Sequence, residues 1–498
     1  MSKVRLFSVA AAVLALVFAT GLSAAAGDLD TTFDGDGKVL TDFAGGSNDW
    51  AYAVAVQSDG KAVVAGNIFP ADNGTGDSFA VARYSVTGGL DPAFDGDGKV
   101  TTEFTSSSFE YATSVAIQAD GKIIVAGGVF IPGSSTRSDL ALARYNPDGS
   151  LDGSFDGDGK VITDVAGGTD AGFSVAVQSD GKIVVAGESR PPGPGRYDFA
   201  VARYNQDGSL DSAFDGDGKV VTPISDGSSD YPTKIAVATD GKIVVGGQIA
   251  IGAPVTFSAG LVRYLPDGSL DGSFDADGKV VVTSPTSTIN DLAVQPDGKI
   301  VANGNGFAVA RFNANGSVDD TFQGDGNALL LRSAGVSALA LQRDGRIVAA
   351  GPVGYPASDF AVARFAANGG VDSGFGQEGT VVTDFGAMDI PYGVALAPDG
   401  KIVVAGASGP AGGTGPNDFA VARYLAAPPP CKVPNVRGKN LAAARARIKK
   451  ARCTVGKVAR KPSKRAKKGR VLSQSPRAGA MVPSGTKVNL VVSKGRKR

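Results

Sequence analysis

Histidine is absent from all 498 residues. That omission excludes Ser-His-Asp and Cys-His nucleophilic machinery, histidine-ligated zinc and any imidazole-based pH switch. Cysteine is scarce: the chain has two, Cys431 and Cys453, only 22 residues apart. In an exported chain such a pair reads as a disulfide. Past the N-terminus no run approaches the ~20 apolar residues that a membrane-crossing helix requires. The N-terminal run is shorter, Leu6–Thr20, preceded by Lys3 and Arg5 and followed by Ala24-Ala25-Ala26. That is the layout of an export signal, with cleavage expected after Ala26 and no membrane span left in the secreted product. No cysteine stands directly after this run, so a lipoprotein anchor is not expected.

Acidic residues are missing from one end of the chain. Cys431–Arg498 holds 22 Lys and Arg, no Asp or Glu, and no aromatic residue. All 49 acids lie before it, against 27 basic residues, two of them in the signal. The zero overall charge therefore conceals a large region near −24 and a tail at +22. Such asymmetry implies separate roles for the two parts.

What is abundant is repetition. Four short patterns recur seven times in fixed order: a GKV strand (Gly37-Lys38-Val39), an AVQ strand (Val54–Gln57), IVVAG (Ile183–Gly187) and FAVARY (Phe79–Tyr84). Each is rich in Val, Ile, Phe and Tyr and bounded by Gly, Asp, Asn or Pro, which is strand chemistry. Asp-Gly separates the second and third patterns in every copy, from Asp59-Gly60 to Asp399-Gly400, a type I′ hairpin signal. IVVAG is apolar throughout, as expected of a strand buried on both faces. Seven four-stranded sheets, 28 strands in all, make an all-β seven-bladed propeller. A solenoid would need atypical capping repeats, and the end copies here resemble the middle ones. With AVQ innermost and GKV outermost, the last blade lacks its fourth strand, which Lys38–Phe43 supplies to close the ring.

LDxxFDGDGKV, AVQxDGKIVVAG and FAVARYNxDGSLD together resemble the delta-60 repeat family of bacterial proteins over about Asp28–Leu425. The resemblance implies the propeller fold and no particular activity.

Candidate site residues fall into three sets. The first is the D-x-D-G string of FDGDGKV, with Asp34, Asp36, Asp95, Asp97, Asp156, Asp158, Asp215, Asp217, Asp275 and Asp277. Two readings stand: a turn, since the second Gly is present in all seven copies and serves positive φ, or a calcium loop, the one cofactor considered. The second set pairs Arg83, Arg144, Arg203, Arg263, Arg311, Arg364 and Arg423 with Asp30, Asp91, Asp152, Asp211, Asp271, Asp319 and Asp372. A buried strand Arg needs a partner of matching geometry, so these are expected to be structural ion pairs.

The third set lies at the opposite face, where the loops vary most: Asn67–Ser78, Gly128–Ser138, Glu188–Tyr197, Gln248–Phe257 and Ala407–Asn417. Function concentrates on variable loops of a rigid scaffold. Asp49, Glu110, Asp170, Asp230 and Asp389 recur just before the inner strand, replaced by Ser287 and Ala334 in two copies; Trp50, Tyr111 and Tyr231 follow three of them. The expectation is a partial ring at the channel mouth for a cation, a sugar or a basic peptide. Turn capping is the alternative.

The tail follows Pro428-Pro429-Pro430, a stiff linker. Asn440 caps a helix with Leu441, Ala444, Ile448 and Ala451 on one face, and two strands near Val471 and Val488–Val492 complete an α+β module. VPNV-x-G, SQSP-x-x-G and VNLVVSKG resemble a PASTA domain over Lys432–Gly495, which implies peptidoglycan recognition. This copy lacks the acids the family usually carries on its helix. Without aromatics the tail also lacks base-stacking chemistry, so no specific nucleic-acid partner is expected.

The domain plan is thus residues 1–26 signal, 27–427 propeller, 428–430 linker, 431–495 PASTA-like module and 496–498 basic tail. The functional expectation is a non-enzymatic scaffold, secreted or wall-associated, held to peptidoglycan or an anionic wall polymer by residues 431–498 and offering its variable face to an unidentified ligand. The rival is a hydrolase or lyase using carboxylates at the channel mouth.

Overall fold

The structure is a computed structural model. It describes residues 24–495 apart from 70–76, 106–107, 134–137, 194, 253, 283–287, 305–307, 331–334, 336, 355–357, 387, 411–414, 428–430, 452 and 483–484. Most of the leader, the Pro linker, the basic tail, five variable-loop tips, Ser287 and Ala334 thus lie outside the described residues. Two compact units divide the chain, Ala26–Ala427 and a smaller one containing the C-terminal residues.

The first unit holds 28 described strands in seven four-stranded antiparallel sheets. In blade 1 the inner strand is Asn48–Val56, followed outward by Ala62–Phe69, Ser78–Tyr84 and Lys99–Thr102. Blade 7 is composite: Met388–Leu396, Ile402–Gly409 and Asp418–Tyr424 receive Lys38–Thr41 as outer strand, with Lys38 opposite Ala422.

The apolar second strand serves two neighbours at once. Val63 and Ala65 of blade 1 pack with Ile123 and Val125 of blade 2, whereas Val64 faces Val403 and Ala405 of blade 7. Successive side chains point to opposite faces of a strand, so burial on both sides demands an uninterrupted apolar run. The hydrophobic core is therefore seven interblade layers rather than one centre.

Polar stitching follows the same period. Each FAVARY arginine donates through Nε to its aspartate at 2.6–2.8 Å. Its guanidinium lies 4.4–4.8 Å from the ring of the phenylalanine that opens the FDGDG loop. Nη1 donates to a carbonyl of the next blade, such as Pro147 for Arg83 and Val86 for Arg423. A second cation, Lys61 for Asp91 and Lys401 for Asp30, shares the carboxylate. In five blades the FAVARY tyrosine donates at 2.7–2.8 Å to an outer-strand threonine of the preceding blade, as Tyr84 does to Thr41.

The Asp-Gly hairpins depart from the type I′ expectation. Only the glycine takes positive φ, 82–90° across the seven copies. Gly60 N–H donates to the Gln57 carbonyl at 2.9 Å and Gln57 N–H to the Lys61 carbonyl at 2.8 Å. That is a three-residue loop, a type I turn closed by a left-handed glycine, which spares aspartate the strained region.

In the C-terminal unit the helix Leu441–Lys450 is capped by Asn440, whose side chain accepts the Ala443 N–H at 2.8 Å. Ala444 and Ile448 bury against Val471, Val488, Leu490 and Val492. The main sheet has three strands rather than two. Thr454–Lys461 runs parallel to Lys487–Ser493, which pairs antiparallel with Val471–Ser475. The extra strand is largely exposed and basic, so apolar alternation does not mark it. A disulfide joins Cys431 to Cys453.

Candidate functional site: the channel and its aromatic mouth

Five inner strands contain a bulge, between Ala51 and Ala53, Ala112 and Ser114, Gly172 and Ser174, Pro232 and Lys234, and Pro391 and Gly393. The inserted residues Tyr52, Thr113, Phe173, Thr233 and Tyr392 line a central cavity of about 130 Å³, bordered by inner-strand residues of all seven blades. The glycine ending IVVAG accommodates the bulge. A Cβ on Gly66 would lie 1.8 Å from the Trp50 carbonyl oxygen, and one on Gly187 would lie 1.9 Å from that of Ala171. Blades 5 and 6 have short inner strands, Asp291–Val294 and Ala338–Leu341, with no register shift. Lys234 Nζ stands 3.3 Å from Asp291 Oδ1 within this lining.

Two aromatic groups occupy the variable-loop end. Trp50 stacks near-parallel on Tyr52 with centroids 6.3 Å apart, and Tyr392 meets Tyr52 at 5.1 Å. Across blades 3 and 4, Tyr197 and Tyr231 lie 5.6 Å apart, with the Arg190 guanidinium 5.1 Å from the Tyr197 ring. Burial pushes Glu188 up to about 7, against the pull of Arg190. Burial, with Glu188 adding to it, pushes Tyr111 up to about 12. Blades 3 and 4 thus bring two tyrosine rings and one guanidinium together, with a partly buried carboxyl on the same strand as the arginine. Glu188, Arg190 and Tyr197 fell inside a loop named only as variable, and no spacing singled them out.

The recurrent acids follow the turn-capping alternative rather than the open ring. Asp49, Asp170, Asp230 and Asp389 are fully buried and Glu110 is 1% exposed, so they do not stand in the open mouth. One oxygen of each accepts the backbone N–H of Phe43, Phe104, Val165, Ile224 or Phe385 at 2.7–3.0 Å. Those residues follow the outer strand of the preceding blade, so each acid fastens one blade's exit to the next blade's entry. Strand alternation explains the outcome: the acid turns between blades, while Trp50, Tyr111 and Tyr231 take the neighbouring positions and remain partly exposed. The second oxygen of Asp230 accepts the Ser228 hydroxyl at 2.6 Å. That of Asp49, Glu110, Asp170 and Asp389 has no well-formed hydrogen bond. Burial pushes Asp49 up to about 6, with Asp42 and Asp418 raising it further, while the Phe43 N–H and the nearby Ser47 hydroxyl oppose.

The D-x-D-G loops join blades through their backbone. The first aspartate has φ of 48–52° in five copies and the second glycine 82–94° in all seven. A Cβ on Gly98 would meet Leu90 Cβ at 2.8 Å. Asp34 N–H donates to the Thr87 carbonyl of the next blade at 2.6 Å, and Asp36 accepts the Lys38 N–H at 2.8 Å. None of the ten aspartates belongs to a group of three described carboxylates within 4.8 Å.

A closed ring of seven four-stranded sheets and a separate small α+β unit define a two-part protein, a β-propeller with a C-terminal module. Seven segments match the family described as "Domain of unknown function (DUF5122) beta-propeller": 57–94, 118–155, 178–214, 238–274, 295–322, 342–375 and 397–426. Residues 432–494 match the PASTA domain. The chain belongs to the DUF5122 β-propeller family and carries one C-terminal PASTA domain. Among solved structures it is similar to a protein of unknown function from Dyadobacter fermentans, at 10% identity over 78% of this chain and 97% of that one, with a TM-score of 0.44. It is also similar to U3-55K, at 10% identity over 77% of this chain and 98% of that one, with a TM-score of 0.46. Among the described residues no helix is long and apolar enough to cross a membrane.

Proposed function

We propose that this protein is a cell-wall-associated scaffold whose PASTA module holds an anionic wall polymer while the propeller presents its aromatic mouth to a glycan. PASTA domains are associated with peptidoglycan-type ligands, and the disulfide suits an extracellular setting. The observation that carries the reading is the tail's composition: 22 basic residues and no acid in Cys431–Arg498, so its positive field has no internal counterweight. The ring faces of Trp50, Tyr52, Tyr197 and Tyr231 offer apolar platforms, and Arg190 and Glu188 supply polar contacts beside them. The hydrolase or lyase reading would draw on the recurrent acids, and those are engaged in backbone hydrogen bonds between blades.

Sedimentation with isolated cell walls tests this. The protein is expected to co-sediment, a version ending at Ala427 is expected to stay in solution, and binding should weaken as salt rises past ~0.15 M. Equal sedimentation of both versions would move wall recognition to the propeller and refute the anchor.

A further inference from the structure

Three of the seven blade junctions hold more charge than fastening needs. Between blades 7 and 1, Asp42, Asp49 and Asp418 offer carboxylate oxygens within 4.8 Å of one another; Asp139, Asp164 and Asp170 do so between blades 2 and 3, and Asp359, Asp384 and Asp389 between blades 6 and 7. The triads are built alike. One acid opens a FAVARY strand, one follows the outer strand of that blade, and one sits on the inner strand of the next.

The third acid is the telling one. Asp49, Asp170 and Asp389 are fully buried, and in each Oδ2 takes a backbone N–H while Oδ1 has no well-formed hydrogen bond, with only the hydroxyl of Ser47, Ser189 or Ser408 near the carboxylate. A bare, buried carboxylate oxygen is costly, and two further carboxylates beside it add repulsion. The nearby lysines do not relieve this. Lys99, Lys219 and Lys38 donate to the main-chain carbonyls of Asp42, Asp164 and Asp384, at 3.2, 3.3 and 2.8 Å. Between blades 3 and 4 the outer-strand acid is replaced by Pro223, and there Ser228 satisfies the second oxygen of Asp230.

We propose that each triad is a binding site for a divalent, oxygen-seeking cation of the calcium type. Calcium accepts several carboxylate, carbonyl and water oxygens in flexible geometry, and three acids from three segments supply the charged part of such a set. Bound there, the ion offsets two of the three negative charges and clamps the exit of one blade to the entry of the next. The site is distinct from the D-x-D-G loops, and the inference stands apart from wall binding.

The test uses the full chain, stripped with chelator and titrated with calcium chloride, reading binding by equilibrium dialysis and stability by thermal unfolding. The companion variant combines Asp42→Asn, Asp164→Asn and Asp384→Asn. These three side chains are exposed, and an amide oxygen still accepts the local N–H bonds they make, so the fold is retained. A control carries Asp36→Asn, Asp97→Asn and Asp158→Asn. One calcium per triad is expected, with a higher melting temperature, affinity falling by about tenfold or more in the triad variant, and no change in the control. No saturable binding, undiminished binding in the triad variant, or loss in the control alone would each overturn the assignment.

Discussion

Replacing Arg203 with methionine removes the centre of one interblade stitch and leaves its bulk. Nε of Arg203 lies 2.6 Å from Asp211 Oδ2, Nη1 donates to the Pro266 carbonyl of blade 4, and the guanidinium stands 4.7 Å from the Phe214 ring. Lys182 Nζ reaches the same Asp211 oxygen at 2.7 Å, from a side chain 29% exposed. Breaking a buried pair costs about 3–5 kcal/mol, and the remaining lysine places Arg203→Met near the bottom of that range, about 3 kcal/mol. Lys182→Met alone should cost no more than ~1 kcal/mol, as befits a partly solvated pair. The double variant strands the Asp211 carboxylate, 5% exposed, with no cation. Its cost should exceed the sum of the singles by about 1–2 kcal/mol. Urea unfolding followed by circular dichroism and by Trp50, the chain's single tryptophan, gives all three values. Additivity within ~0.5 kcal/mol would refute the shared-carboxylate argument, and a cost below ~1 kcal/mol for Arg203→Met would mark the stitch as no stronger than a surface pair.

Stability should peak at mildly acidic pH in the presence of chelator. Burial alone would raise Asp152, Asp271 and Asp319, yet Lys and Arg partners and a Ser or Thr hydroxyl hold them well below the usual range. Their contribution is therefore present above the unfolded value of ~4 and is lost as pH falls below it. Asp49 is pushed the other way, from 3.8 to about 6, so the folded state binds the extra proton and stability declines as pH rises between those values. Melting temperatures from pH 3 to 8 should pass through a maximum near pH 4–6, and a plateau to neutrality would contradict this. Replacing Cys431 and Cys453 with serine should cost the PASTA unit about 3 kcal/mol, from the entropy of a loop spanning 22 residues. The propeller transition should stay put, and an unchanged PASTA transition would refute the estimate.

The blades were legible because each strand is a local apolar pattern bounded by turn residues. The Arg–Asp pairs were legible because six of the seven partners are eight residues apart on adjoining segments, as Arg83 and Asp91 are. What escaped spans the junctions. The Arg83 contact with Pro147 is 64 residues away, and nothing in a single repeat encodes which carbonyl the next blade offers. The sequence left the acids between an open ring and turn capping because facing depends on strand alternation beside a bulge, whose trace is a glycine such as Gly66 pressed against the Trp50 carbonyl. The Asp-Gly turn type depended on loop length, which the dipeptide does not reveal.

Ring closure makes the ends of the propeller answerable to each other. Lys38–Thr41 completes the sheet of Asp418–Tyr424, joining residues roughly 380 positions apart. Closing so long a loop costs about 5 kcal/mol in chain entropy. A nick at a loop tip elsewhere leaves its blade's strands hydrogen-bonded, but trimming the chain past Thr41 strips blade 7 to three strands and bares Asp418–Tyr424 as an apolar edge open to pairing with another chain. The completeness of blade 7 thus hangs on a four-residue strand delivered from the far end of the repeat array.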